Sequence, residues 1–423
     1  MARWLLSLVA IVGAAFGVLV ASSAFPPEAE RVARVVDAGT WQPIAGAIVT
    51  AGRTEIRTDS SGLFRVPDGP PDVVGVRAYG YRRADAWAKS LTGNAADVLL
   101  TPFRPKGLYL SVYGIGDTAL RTAALKVIDT TQLNTLVIDM KGDRGIVPYH
   151  SSIVLAAVVG AQKIITIKDL PALMNTLHAR GIYTIARIVV FKDHLLASGR
   201  PDLAIRRRDG SIFRDHENLS WTNPYSHEVW AYNIALATEA AAAGFDEIQF
   251  DYVRLPDAEG LVFQETQTEE NREAAVDGFL REARAALTPF NVFVAADVFG
   301  YVCWNPDDTG IGQQLVHIAG IVDYVSPMLY PSGFQLGIPG FRNPMLNSHE
   351  IVELSLKRAL ERTQVPGVRF RPWLQAFRDY AFGGQPFGRA EIQSQIKAAD
   401  DAGSDGWMLW NPRNEYTASD IVP

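Results

Sequence analysis

The sequence predicts an α/β chain in two parts: a (β/α)8 TIM barrel over residues 106–423, preceded by a small all-β sandwich over residues 31–102. Three observations carry this. After Lys106, β-prone apolar runs at 107–113, 135–141, 182–191, 247–253, 292–299, 324–330, 371–377 and 406–411 alternate with helical stretches near 117–129, 169–180, 226–243, 268–287, 311–319, 348–363 and 389–402. Eight strands with helical spacers are the count a closed barrel needs. Before Thr101, short alternating runs at 32–36, 47–50, 55–58, 63–66, 73–78 and 96–100 are separated by turn residues, the pattern of a sandwich. Between the two parts lies TPFRPKG, 101–107, where Pro102 and Pro105 interrupt any strand. An open doubly wound sheet is the alternative for the second part. It lacks the glycine-rich phosphate loop after the first strand, since Gly114 and Gly116 are only a fragment of that fingerprint.

Composition narrows the function. The chain has 423 residues, enough for two domains, and a formal net charge of −6, so it carries no basic footprint for nucleic acid. A single basic residue, Arg3, precedes an apolar run over 4–21 and the small residues Ser22, Ser23 and Ala24. Residues 1–24 therefore read as a secretory signal peptide or, uncleaved, a membrane anchor, and the expected location is secreted or cell-envelope. Cys303 is the one cysteine, so no intramolecular disulfide framework exists and the fold rests on its core.

The chemistry is concentrated in DEIQFDYVRLP, 246–256. Alternation puts Gln249 and Asp251 on the face opposite Ile248 and Phe250, at the end of the fourth barrel strand. In this fold the C-terminal strand ends form the active face. Read strand by strand, those ends supply Tyr113, Asp139 and Lys141, Arg187 with Lys192 and Asp193, Asp251 and Arg254, Asp297, Tyr330, Gln375 and Arg378, and Trp410 with Asn411. Each alone is equally an ion pair or a cap; several acids converging on one basin are costly unless matched or used. Paired carboxylates with fixed cations and aromatic side chains suit glycoside hydrolysis, in which one acid protonates the leaving oxygen and the other attacks or activates water. Asp251 and Asp297, ending neighbouring strands, form the candidate catalytic pair. Asp139, Lys141, Arg187, Arg254, Tyr330, Gln375, Trp410 and Asn411 are candidate substrate-binding residues. The aromatic residues Trp221, Tyr252, Trp304 and Trp373 are further candidates for sugar stacking.

Other chemistries fit less well. The seven histidines show neither His-x-His nor His-Glu-x-x-His spacing, so no metal is expected, and Ser326 and Ser332 lack a nucleophile elbow. Lys141 as a Schiff-base lysine is disfavoured by Asp139 two residues earlier. No cofactor is expected. The expected partner is a polysaccharide or oligosaccharide.

Both parts resemble known families. VVDAGTWQPIAGAIV (35–49), TDSSGLF (58–64) and AYGY (78–81) resemble the carboxypeptidase regulatory-like domain, a transthyretin-type sandwich, which implies a noncatalytic module assisting folding or adhesion. QFDYVRLP (249–256), VSPMLYPS (325–332) and GWMLWN (406–411) resemble an uncharacterised bacterial family of glycosyl hydrolases with a TIM barrel. Similarity to barrels with an aspartate nucleophile on the fourth strand implies that role for Asp251. Amylase-like enzymes place a glutamate after the fifth strand where this chain has Asp297, so the acid/base assignment departs from that pattern, with Asp139 as the next candidate. The rival reading is a glycan-binding or envelope scaffold protein whose barrel has lost turnover.

Overall fold

A computed structural model describes residues 32–65, 72–91, 94–404 and 406–422. The expected signal or anchor segment 1–24 lies outside these residues. No helix among the described residues is long and apolar enough to cross a membrane.

The N-terminal strands are β1 (Val32–Asp37), β2 (Ile48–Ala51), β3 (Thr54–Arg57), β4 (Leu63–Arg65), β5 (Val73–Arg77), β6 (Ala84–Trp87) and β7 (Asn94–Leu100). They form two small sheets, β4-β1-β7 and β3-β2-β5-β6. Val35, Phe64 and Val98 from the first meet Val49, Val74 and Val76 from the second in one buried cluster. The β3-to-β4 connection turns on Asp59, whose Oδ1 accepts from the amides of Ser61 and Leu63 at 2.8 and 2.9 Å. Strand β6 is absent from the sequence reading because Ala84–Trp87 is a half-exposed edge with no apolar run to betray it.

The C-terminal part is mixed α/β. Strands β8 (Lys106–Leu110), β9 (Thr135–Lys141) and β10 (Tyr183–Val189) are followed, after the two-residue β11 (Arg206–Arg207), by β12 (Glu247–Asp251). Past the two-residue β13 (Leu261–Val262) come β14 (Phe293–Phe299), β15 (Tyr324–Met328), β16 (Trp373–Gln375) and β17 (Trp407–Trp410). The eight longer strands are parallel and close into a barrel in chain order, while β11 and β13 pair as a ribbon in the loops. Strands end earlier than the apolar runs suggest. The run 324–330 stops at Met328 before Pro331, and the run 371–377 begins at Trp373 because Pro372 cannot donate to the ladder.

The helices follow their caps. α1 (Thr118–Thr130), α3 (Leu170–Ala179), α5 (His227–Ala242) and α6 (Glu269–Leu287) begin at Asp117, Asp169, Ser226 and Thr268, whose side chains accept from the first turn. α7 (Leu315–Ile321) starts later than expected because Gly310 and Gly312 hold positive φ and Gln314 caps the helix. α8 (Ser348–Thr363) and α9 (Arg389–Asp401) complete the outer ring. The short α2 (Val154–Val158), α4 (His194–Gly199) and α10 (Ala418–Ile421) are too brief to show a helical period.

The β module closes the N-terminal end of the barrel. Arg77 on β5 donates to Asn291 Oδ1 at 3.2 Å, just before β14, and its Nε lies 3.9 Å from Asp323 Oδ2, just before β15. Asp323 also accepts from Arg284 at 3.0 Å and from the Val294 amide at 2.9 Å. Gly75 makes this approach possible, because a Cβ there would lie 2.4 Å from the Asn291 side chain. Phe103 packs on Tyr183 and Tyr79 on Tyr324, with ring centres 5.1 and 6.1 Å apart. Within the barrel floor Arg371 pairs with Glu247, which also accepts from Tyr183 Oη at 2.9 Å.

Burial alone would raise the Asp323 carboxyl, but Arg284 and Arg77 outweigh it and hold the group below the usual value. Its stabilising contribution is therefore present above the unfolded-state value and lost as pH falls through the depressed one. Arg77→Met leaves Asp323 buried with one cation fewer. It should cost about 3 kcal/mol in denaturant unfolding at neutral pH, with a smaller difference at acidic pH. An unchanged midpoint would mean that the module merely rests on the barrel.

Candidate active site

The inward positions at the C-terminal strand ends converge on one guanidinium. Arg187 on β10 pairs in register with Asp139 on β9, and the residue two further on, Val189, pairs with Asp251 on β12. Its Nη1 donates to Asp139 Oδ1 at 2.6 Å and its Nε to Asp251 Oδ2 at 2.9 Å, while Nη2 makes a second, short bond to the same Asp251 oxygen. The same Nε lies 3.9 Å from Asp297 Oδ2 on β14. The facing oxygens of Asp251 and Asp297 are thus separated by no more than 2.9 plus 3.9 Å. That bound covers the spacing of roughly 5–5.5 Å used for direct attack and the lower part of the wider range that admits a water.

Aromatic side chains wall the cluster. Tyr109 Oη donates to Asp139 Oδ2 at 2.6 Å, and Trp373 Nε1 donates to Asp297 Oδ1 at 2.8 Å. Trp410 stacks on Tyr109 with centroids 3.8 Å apart, and the Arg187 guanidinium lies 4.8 Å from the Trp410 ring. The three acids are deeply set: Asp297 is 0% exposed, Asp139 3% and Asp251 4%. Burial drives the Asp297 carboxyl well above the usual range, and the Asp251 charge adds to the shift, against opposing pulls from Arg187 and Trp373. Asp139 is raised too, by burial only partly offset by Arg187. Asp297 Oδ2 accepts no hydrogen bond from the described residues, so a proton can reside there without displacing a donor.

Tyr330 lies just past β15 and faces this cluster. Burial, then the negative charges of Asp251 and Asp297, push its phenol far above the usual value. Arg254 sits at the rim, its guanidinium 5.0 Å from the Trp221 ring and 5.2 Å from the Tyr252 ring. Tyr252, at φ 48°, is the turn residue that carries the chain out of β12 over the basin.

Three of the expected binding residues are used elsewhere. A bulge in β9 shifts the register so that Asp139 pairs with Arg187 but Lys141 with Ile188. Lys141 is thereby turned outward beneath α5, 2.7 Å from Asp193 Oδ2 and 2.7 Å from Asn233 Oδ1, and is a buried structural cation. Asn411, one step past the inward Trp410, points outward and ties loops together through the carbonyls of Ala376 and Glu415. Gln375 faces inward, but both ends of its amide hold Ser332, through the Ser332 amide at 3.0 Å and Oγ at 2.7 Å. Tyr113, at the end of the first predicted strand, is 51% exposed because β8 ends at Leu110; the residue that enters the basin is Tyr109. Inward alternation along that strand was the available signal for it. Trp304 donates to Ser355 at 2.8 Å and packs against the helical layer, away from the basin. Among the described residues, no group of three or more His, Cys, Asp or Glu side chains is placed to hold a metal ion.

Because the folded-state affinity of Asp297 for a proton is raised, its stabilising contribution is fully present below the unfolded-state value and is lost as pH rises through the folded one. Asp297→Asn, permanently neutral and still able to accept from Trp373, should melt near the parent at pH 5 and progressively above it toward about pH 9. A melting difference independent of pH would show that Asp297 is charged throughout.

The comparisons with known proteins bear on the barrel. No curated protein matches the chain. A hypothetical protein from Ruminiclostridium thermocellum of known structure is 34% identical, over 45% of this chain and 97% of that one, with a TM-score of 0.40. The PgaB (BpsB) glycoside hydrolase domain from Bordetella bronchiseptica is 14% identical, over 75% of this chain and 99% of that one, with a TM-score of 0.55, and shares the barrel fold. Over residues 107–416 the sequence matches the family described as "Putative glycosyl hydrolase domain", and the chain belongs to that family.

Proposed function

We propose that this chain is a glycoside hydrolase that cleaves a polysaccharide with Asp251 and Asp297 at the C-terminal face of the barrel. The observation that carries the reading is the unequal treatment of two neighbouring acids by one cation. Asp251 accepts two guanidinium hydrogen bonds on one oxygen, whereas Asp297 keeps an oxygen free of donors in a site that favours its neutral form. In this reading Asp251 attacks, or stabilises the developing positive charge, and Asp297 donates the proton to the leaving oxygen. Arg187 positions both, and Tyr330 and Trp410 border the space where the sugar ring would sit. Family membership supports hydrolysis of glycosidic bonds in general. We extend the proposal to residues 1–24 as an export signal or membrane anchor and to the β module as a carboxypeptidase regulatory-like domain, placing the enzyme outside the cytoplasm or in the envelope.

One observation favours a second reading, a glycan-binding protein without turnover: each of the three acids is at most 4% exposed, and Asp139 and Asp251 are already tied to Arg187. Incubation of the full chain with a broad polysaccharide panel, followed by product analysis, separates the two. Released oligosaccharides are expected. Asp251→Asn should lower kcat by about three decades or more with the fold intact. Parent activity should fall as pH rises through the raised Asp297 value, since the donor must be protonated. Products released equally by the parent and Asp251→Asn would remove this pair from the chemistry.

A further inference from the structure

We propose that Tyr380, on the loop after β16, is a stacking platform for a pyranose ring of an oligosaccharide, extending the carboxylate basin outward across the protein surface. The ligand class rests on the reading above, but the platform does not depend on turnover.

The first observation is a continuous line of rings. Tyr330, which faces Asp251 and Asp297, meets Phe377 edge-on with centroids 5.3 Å apart. Phe377 in turn lies parallel to Tyr380, 6° between planes and 6.1 Å between centroids. The outermost ring is 64% exposed, although tyrosines normally bury most of their ring.

The second observation is that the loop carrying this exposed ring is tightly held. Asp379 is buried and accepts four hydrogen bonds: from the amides of Ala381 at 3.0 Å, Phe382 at 2.8 Å and Gly384 at 3.0 Å, and from Ser332 Oγ at 2.7 Å. The Asp379 amide itself donates to Gln385 O at 2.9 Å, closing the loop. Ser332 is fixed by Gln375, so the barrel strand β16 and the loop after β15 are locked to the base of the Tyr380 loop. Gly383 and Gly384 take positive φ where the chain reverses. An exposed apolar face on a rigid loop gains nothing for folding; held in one orientation, it loses little entropy when a flat ligand stacks on it. The apolar C–H face of a pyranose is such a ligand, and the line of rings leads from it directly to the acids.

The test is native affinity electrophoresis of the full chain in gels containing glycol chitin, xylan, carboxymethylcellulose, soluble starch or mannan. The parent is expected to be retarded by at least one. Tyr380→Ala should weaken that retardation about tenfold in apparent Kd, and Tyr380→Phe by less than about twofold, with melting temperatures unchanged because the ring is exposed. Equal retardation of the parent and Tyr380→Ala, or no retardation of the parent by any of the five, overturns the platform. Tyr380-dependent self-association seen by light scattering would also overturn it in favour of a second copy as occupant. Tyr380-dependent retardation without product release leaves the platform standing and removes hydrolysis. Product release with Tyr380-independent retardation does the reverse.

Discussion

The structure depends on a cation shared among three acids inside a barrel. Arg187 is buried, and its guanidinium reaches Asp139, Asp251 and Asp297 on three different strands. Without it, three carboxylates in a largely apolar enclosure would each carry a desolvation penalty of several kcal/mol. With it, the positive charge falls short of the negative, and the site favours the neutral form of Asp297, the acid with fewest donors. Shape and charge are therefore set together: the parallel register that aligns Arg187 with Asp139 also leaves Asp297 as the acid whose carboxyl is pushed furthest above the usual range.

The opposite end of the barrel is stabilised differently. There, Glu247 and Arg371 fill the floor, and the β module brings Arg77 and Tyr79 against Asp323, Asn291 and Tyr324. These pairs are buried and sealed by the module and hold structure, although Arg77 Nε and Arg371 Nε and Nη1 find no hydrogen-bond partner among the described residues. At the C-terminal end no such cover lies over Tyr380 among the described residues, and its ring is exposed. The stabilising pairs and the candidate site thus occupy opposite ends of one sheet, the division this fold makes possible.

Much of this was legible from residue order. Alternation along a strand needs no tertiary information, so Asp139, Arg187, Asp251, Asp297 and Trp410 could be placed on the inner face from sequence alone. Lys141 could not, because a single bulged residue, invisible in the pattern, turns it from the lumen to the helical layer. Gln375 points inward as its position implies, yet its amide is consumed by Ser332, a pairing that depends on how two loops fold. Phe377 ends a run that reads as strand, and Tyr380 lies three residues beyond it. Only the hydrogen bonds of Asp379 reveal a rigid loop there, and such bonds leave no periodic trace in the sequence.

The most direct test of the central claim is a carbon-13 NMR titration of the aspartate carboxyls, with Asp297→Asn to assign the signal. One carboxyl, absent from the variant, should keep the chemical shift of the protonated acid at neutral pH while most others have ionised. If every aspartate carboxyl in the parent has titrated below about pH 5, as ordinary carboxylates do, then Arg187 satisfies all three acids as anions and the account of a protonated donor beside an ionised partner fails.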